Sequence, residues 1–158
     1  MSDRIHGKLV RLAGDVRRIS HELHPAILEY SGLATALRAY CEEFSTLNRI
    51  EVLIDIEGSF EGIAPATALC LFRVTQESMR NVARHAGVST ASVKLKRANG
   101  VLRLAVSDKG SGIDPDRAAA KAGLGLLNIQ ERARLVRGKV EIRTRPGEGT
   151  MVIIEVPE

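Results

Sequence analysis

A carboxylate and an amide lie four residues apart in a stretch that is predicted to be helical. Glu77 and Asn81 belong to the segment 65–86. Pro65 at its start and Gly87 just after its end are typical of the two ends of a helix. Residues four apart point the same way on a helix. The two side chains could therefore hold Mg²⁺ together, since this ion prefers hard oxygen ligands and keeps several waters.

The same helix separates an apolar side from a polar one at about 100° per residue. The apolar side collects Leu69, Phe72, Met79, Ala83 and Ala86. The nearly opposite side collects Glu77, Asn81, Arg84 and His85. A polar side of this kind is commonly a solvated helix face. Cys70 and Val74 share its angular position, however, and a face that is apolar first and polar later fits the wall of a ligand pocket better.

A second candidate follows a predicted strand, in the stretch SDKGSG at 107–112. The carboxylate of Asp108 could accept a hydrogen bond from a ligand amine. Gly110 and Gly112 would let the bare backbone approach a ring. The same stretch could also be a simple glycine turn.

Two further glycine stretches lie nearer the C-terminus. In AGLGLLNI, residues 122–129, Gly123 and Gly125 precede a predicted helix. Backbone N–H groups and the helix dipole at such a position favour an anion. The stretch PGEGT, residues 146–150, is predicted to be a hairpin turn with Thr150 at the start of the last strand.

Helices and about five strands are predicted to position these residues. Helices are expected within 3–24, 31–47, 65–86 and 123–138, and strands within 50–58, 91–97, 101–108, 139–145 and 149–156. Asn99-Gly100 between two of the strands indicates a hairpin turn. The pattern predicts an α+β layered domain with a largely antiparallel sheet.

The first predicted helix carries a heptad pattern that requires a partner helix. Its apolar residues are spaced by alternating steps of four and three: Ile5, Leu9, Leu12, Val16, Ile19 and Leu23. Pro25 disturbs the helix at His24, because a residue before proline avoids the α region.

Composition limits the classes of function. Aromatic residues make up 3% of the 158 residues, which disfavours base stacking. The charge of +4 suits any polyanionic ligand without choosing among them. Cys41 and Cys70 are expected to be reduced thiols, since they show no metal-binding spacing. No apolar run approaches the length of a membrane span, and no signal peptide opens the chain.

The order of four motifs resembles a known ATP-binding superfamily. ESMRNVARHA, DKGSG, GLGL and GEGT resemble the N, G1, G2 and G3 boxes of gyrase, Hsp90 chaperones, histidine kinases and mismatch-repair ATPases. GLGLLNIQERA and LHPAILEYSGLATAL look like the nitrate- and oxygen-sensing histidine kinases. The resemblance implies a two-layer α/β sandwich of the Bergerat type over 47–158. Residues 1–46 would be part of a helical dimerisation domain and a linker.

The resemblance also implies roles for the phosphate end of a nucleotide site. Asn81 would ligate Mg²⁺ that bridges the ATP phosphates, and Glu77 would lie beside the γ-phosphate as a metal partner or a base. Arg84 and His85 would lie near the phosphates. Gly123, Leu124 and Gly125 would cradle the phosphates in a lid.

At the base end, Asp108 would accept the adenine amine. Gly110 and Gly112 would shape the floor, and Thr150 would close the site. One departure is that no phenylalanine lies between Gly112 and Gly123, so the phenylalanine box of many histidine kinases is missing.

His21 is followed by Glu22, as in the phosphoacceptor box of many kinases. In the family the acceptor lies one whole helix earlier, and the sequence around His21 resembles the second bundle helix. We therefore expect no phosphoacceptor in this chain, with His21 as the alternative. The chain would be a cytoplasmic fragment of a longer sensor, which leaves open a membrane anchor in the parent. Its partners would be a response regulator and, through the helical bundle, a second copy.

Two rival functions stay open at this point. One is a stand-alone serine kinase of the same superfamily, such as the anti-sigma regulators, although the heptad pattern argues against it. The other is a basic nucleic-acid-binding module, which only the pI of about 9.4 suggests.

Overall fold

The computed structural model describes residues 5–12, 25–113 and 123–158. Its helices are α1 (5–12), α2 (Ala26–Asn48), α3 (Pro65–Asn81) and α4 (Gly123–Leu135), and a π-helical turn, Val82–Ala86, continues α3. Its strands are β1 (Glu51–Glu57), β2 (Thr90–Ala98), β3 (Val101–Asp108), β4 (Lys139–Arg145) and β5 (Gly149–Pro157).

The five strands form one sheet in the order β1-β2-β3-β5-β4. β1 runs parallel to β2, and every other neighbouring pair is antiparallel. Asn99 and Gly100 connect β2 to β3 with φ angles of 54° and 71°, which is the left-handed pair that a type I′ hairpin requires. The predicted α+β class and the sheet of about five strands are therefore confirmed.

One face of the sheet is apolar and is covered by helices. α2 contacts β1, α3 contacts β3 and β5, and α4 contacts β4. The buried core between these two layers includes Leu37, Leu71, Met79, Leu95, Leu104 and Ile154. The other face carries ion pairs such as Lys96–Glu57 at 3.0 Å and Arg103–Glu155 at 3.2 Å. This two-layer arrangement is the predicted sandwich.

The helix predicted over 31–47 is longer than expected. α2 begins at Ala26, and Gly32 interrupts it with φ 79° and ψ 173°. Glycine adopts this backbone conformation without the steric penalty that a Cβ would bring. Of the first predicted helix, 5–12 is helical with exposed side chains, whereas His21, His24 and the rest of its heptad pattern lie outside the described residues.

The helix predicted over 65–86 changes its geometry near its end. α3 stops at Asn81 and the π-helical turn follows, closed by Gly87 with φ 65°. A π turn contains more residues than an α turn, so positions after Asn81 rotate away from the expected pattern. Ala83, predicted to be on the apolar side, is exposed, whereas Ala86 is buried as predicted. Cys70 and Val74 are buried in the hydrophobic core.

None of the helices in the described part of the chain is both long and apolar enough to cross a membrane.

Candidate nucleotide-binding site

A cavity of about 30 Å³ lies between α3 and the adjoining ends of β3 and β5. Five residues predicted from the sequence line it: Asn81, His85, Asp108, Gly112 and Thr150. Apolar side chains such as Val106, Val152 and Leu126 complete its walls. The fold thus gathers polar groups from three distant motifs into one largely apolar pocket, which is the usual composition of a small-molecule site.

A row of three polar side chains crosses the sheet at this end. Asp108 is opposite Thr150 in the β3–β5 register, and Thr150 is opposite Thr144 in the β4–β5 register. The hydroxyl oxygens of Thr144 and Thr150 are 2.9 Å apart. The backbone N–H of Ile113 donates to Thr144 Oγ1 at 2.8 Å. Sequence reasoning missed Thr144, although the register of the predicted hairpin pairs it with Thr150.

The loop after β3 fixes the Asp108 carboxylate at the pocket. The backbone N–H of Gly110 donates to Asp108 Oδ1 at 2.8 Å, which closes a tight local turn. Gly112 has φ 69°, and a Cβ there would lie 2.0 Å from the carbonyl oxygen of Arg145. A glycine turn and a ligand-binding carboxylate were the two interpretations of this stretch. They are compatible, because the glycine turn holds the carboxylate at the cavity.

Glu77 and Asn81 lie on one side of α3 against the first turn of α4. A Cβ added to Gly125 would lie 2.5 Å from Glu77 Oε1 and 3.7 Å from Asn81 Nδ2. The side chain of Glu77 is 18% exposed, and Arg80 Nη1 lies 3.4 Å from its Oε2. Gly125 therefore lets the first turn of α4 approach the Glu77 carboxylate closely, beside the amide of Asn81. The oxygens of an acid and an amide suit a hard cation.

The family model for histidine kinase-, DNA gyrase B- and HSP90-like ATPases matches residues 66–158. This chain belongs to that ATPase family. Its match covers all of the site residues described above.

Two curated relatives of the ATPase domain extend over nearly the whole chain. The sensor histidine kinase MctS of Rhizobium johnstonii is 40% identical over 146 residues, which are 91% of this chain and 32% of the relative. The oxygen sensor histidine kinase NreB of Staphylococcus carnosus is 35% identical over 156 residues, which are 99% of this chain and 45% of the relative. The chain thus spans less than half the length of both.

Solved histidine kinases share the fold. The histidine kinase domain of a blue-light activated kinase from Erythrobacter litoralis EL346 superposes with a TM-score of 0.65 at 21% identity. That match covers 79% of this chain and 64% of the other. Full-length ShkA in complex with AMPPNP gives a TM-score of 0.66 at 17% identity, covering 99% of this chain and 39% of the other.

In this ATPase domain the π-helical turn anchors the loop that follows β3. Ser111 donates its hydroxyl to the His85 carbonyl at 2.8 Å and its backbone N–H to the Ala86 carbonyl at 3.1 Å. A Cβ on Gly110 would lie 2.3 Å from the same Ala86 oxygen. Gly110 therefore allows close packing rather than lining the cavity, and Ser111 is a positioning residue that sequence reasoning missed.

Arg84 belongs to the same π turn as His85, but it is exposed and does not line the cavity. Gly123 and Gly125 were expected in a loop before a helix. Instead α4 begins at Gly123, so that Gly123, Leu124 and Gly125 form its first turn. The start of the helix is therefore the element that faces the acid and the amide. The expected lid segment, 114–122, lies outside the described residues.

Within the described residues, no group of three or more His, Cys, Asp or Glu side chains could enclose a metal ion. Mg²⁺ does not need such an enclosure, because it is commonly bound by one or two protein oxygens together with substrate phosphates. The pair of Glu77 and Asn81 fits that mode of binding.

Proposed function

We propose that this chain is the ATP-binding catalytic part of a two-component sensor histidine kinase that acts on Mg-ATP. The observation that carries the proposal is the common cavity of Asn81, Asp108 and Thr150. A candidate metal ligand and a candidate base-reading carboxylate line the same cavity, which supports a single site for both ends of a nucleotide.

At the base end, Asp108 accepts a hydrogen bond from the exocyclic amine of adenine. Its position is supported by the bond from Gly110 to Oδ1 and by the register with Thr150. An ionised carboxylate has no proton to donate, so it disfavours guanine, which carries a carbonyl oxygen in place of the amine. Thr150, held by Thr144, closes this end of the pocket.

At the phosphate end, Asn81 and Glu77 supply oxygens for Mg²⁺, and Arg84 and His85 add positive or polar groups near the phosphates. Bound Mg²⁺ would neutralise charge on the phosphates during transfer. Gly123, Leu124 and Gly125 bring backbone N–H groups at the start of α4 toward the same phosphates. The close approach of Gly125 to Glu77 Oε1 supports this arrangement.

The phosphoryl group passes to a histidine on a bundle helix and then to a response regulator. Both curated relatives are sensor histidine kinases, which supports this assignment over a serine kinase or a nucleic-acid-binding module. We propose that the acceptor is a histidine of a separate bundle helix rather than His21, and that a second copy completes the bundle.

Calorimetry with Mg-ATP tests the nucleotide site. The Asn81→Ala protein is expected to lose Mg²⁺-dependent binding and to keep its thermal unfolding temperature, because the side chain lies at the cavity rather than in the core. Asn128→Ala is the matched control, since Asn128 is an exposed helical amide outside the cavity lining. Undiminished Mg-ATP binding by Asn81→Ala would remove the metal assignment.

Labelling with γ-labelled ATP tests the transfer. We expect no label on the chain alone, and an acid-labile, base-stable label on an added polypeptide that carries the first bundle helix. Label on the chain itself that disappears in the His21→Gln variant would instead identify His21 as the acceptor.

A further inference from the structure

Ser78 places an unpaired hydroxyl inside the ATPase domain. Its side chain is 3% exposed. Among the buried side-chain oxygen and nitrogen atoms of the described residues, Ser78 Oγ alone has no hydrogen-bond partner. Thr75, one turn earlier and 0% exposed, donates its hydroxyl to the Leu71 carbonyl at 2.9 Å. The helix therefore satisfies one buried hydroxyl and leaves the other free.

The free hydroxyl belongs to the lining of the candidate nucleotide cavity. Ser78 shares that lining with four other polar side chains, Asn81, His85, Asp108 and Thr150, and the remaining side chains are apolar. The cavity of about 30 Å³ exceeds the roughly 10–15 Å³ that one water occupies on this measure. A buried polar group without a protein partner, in a cavity of this kind, is suited to a ligand or to a water that the ligand shares.

The polar groups of this lining complement one edge of adenine. The exocyclic amine donates, and the neighbouring ring nitrogen N1 accepts. An ionised Asp108 accepts the amine but cannot serve N1, whereas a serine hydroxyl can donate. The Thr150 hydroxyl is already within hydrogen-bond distance of Thr144. Asn81 and His85, the other polar side chains of this lining, are assigned to the phosphate end. The unpartnered hydroxyl of Ser78 is thus the group that remains to serve N1.

We propose that Ser78 is a base-reading residue, whose hydroxyl donates to adenine N1 directly or across one bound water. This inference rests on the proposed function, because it assumes that adenine occupies the cavity. It assigns the discrimination between bases to two residues, Asp108 for the amine and Ser78 for the ring nitrogen.

The proposal predicts opposite effects on stability and on binding. Replacing an unpaired buried hydroxyl by hydrogen removes a desolvated polar group at little cost in packing. The nucleotide-free Ser78→Ala protein is therefore expected to unfold at the same temperature as the wild type or a higher one. Its nucleotide affinity is expected to fall. A residue with a merely structural role would lower the unfolding temperature and leave the choice of ligand unchanged.

The decisive experiment compares ADP with 1-deaza-ADP, in which a C–H group replaces N1, by calorimetry on the whole chain. We expect the wild type to bind ADP about five- to tenfold more tightly than the analogue, the effect of one hydrogen bond. We expect Ser78→Ala to bind both with one affinity, close to that of the wild type for the analogue. The control Thr75→Val removes the neighbouring paired hydroxyl and should keep the wild-type ratio.

If Ser78→Ala kept the wild-type ratio of affinities for ADP and 1-deaza-ADP, the role of Ser78 would be overturned. The proposed function would remain, since ADP would still bind. A large drop in its unfolding temperature would overturn the proposal as well, because the hydroxyl would then be structural. Failure of the wild type to bind ADP or the analogue would overturn the proposed function and this inference with it.

Discussion

A methyl group added at Gly125 should raise the stability of the fold while it lowers the rate of phosphoryl transfer. The residue is helical in α4 and has no positive φ, so alanine fits the backbone. The added Cβ would lie 2.5 Å from Glu77 Oε1. The carboxylate must retreat by about 0.9 Å to reach 3.4 Å, where ordinary van der Waals contact begins.

The effect on stability is small and favourable. Alanine in place of glycine within a helix gains about 0.5–1 kcal/mol. The carboxylate that moves is the end of a flexible side chain, and its ion pair with Arg80 at 3.4 Å is a partly exposed pair three residues apart, worth about 0.2–0.5 kcal/mol. The free energy of unfolding of Gly125→Ala should therefore rise by up to about 0.8 kcal/mol. The unfolding temperature should rise by about 1–3 °C.

The effect on function is large, because the group that moves is proposed to lie beside the γ-phosphate. A misplacement of about 1 Å in a catalytic site costs on the order of 100-fold in rate. The assay is transfer of label from γ-labelled ATP to a polypeptide that carries the acceptor helix, measured beside thermal unfolding.

Gly125→Ala combined with Glu77→Ala serves as the control. Once the carboxylate is absent, the methyl group should add little to the loss of transfer that Glu77→Ala causes alone. Unchanged transfer by Gly125→Ala, or a fall of several degrees in its unfolding temperature, would refute the reasoning.

Three further predictions concern other parts of the site and core. Asp108→Ala should lose most of the preference for ATP over GTP in a binding competition, and equal affinities in the wild type would contradict the adenine contact. Gly112→Ala should lower the free energy of unfolding by at least about 2 kcal/mol in urea, because its φ of 69° and the carbonyl oxygen 2.0 Å from its Cβ both oppose a side chain; an unchanged midpoint would contradict this. Burial raises the pKa of Cys41 and of Cys70 from 9.0 to about 11. The folded thiols hold their protons more tightly than the unfolded ones, so the free energy of unfolding should fall as the pH rises from about 9 to 11. At pH 8 a disulfide reagent should label the two thiols only after unfolding. Rapid labelling of the native protein would contradict the burial and the raised pKa of these thiols.

Local patterns predicted most of the helices and strands. The strand predicted over 101–108 coincides with β3, because alternation and the turn at Asn99-Gly100 depend on neighbours in sequence. Asn81, Asp108 and Thr150 each belong to a recognisable short motif, and all three line one cavity.

Contacts between distant segments were not predictable in the same way. The bond from Ser111 to the His85 carbonyl depends on a π turn that helical periodicity does not indicate. The unpaired hydroxyl of Ser78 is visible only once the surroundings of the helix are known, because the sequence does not show that its helix leaves it unsatisfied. The closeness of Gly125 to Glu77 likewise depends on the packing of two helices and is not indicated by the glycine motif itself.

The row of Asp108, Thr150 and Thr144 has a consequence for how the domain assembles. It runs across two hairpins, β2–β3 and β4–β5, which meet at the β3–β5 seam. Each hairpin can form within about 1–10 μs from local contacts, but their docking brings together segments far apart in sequence and is slower. A nucleotide that needs both sides of the row binds only after docking. By mass action, a concentration about 100 times its dissociation constant would stabilise the docked state by about 2.7 kcal/mol. The bound nucleotide would then hold β3 against β5, so that the fraction of molecules with separated hairpins falls as the nucleotide concentration rises.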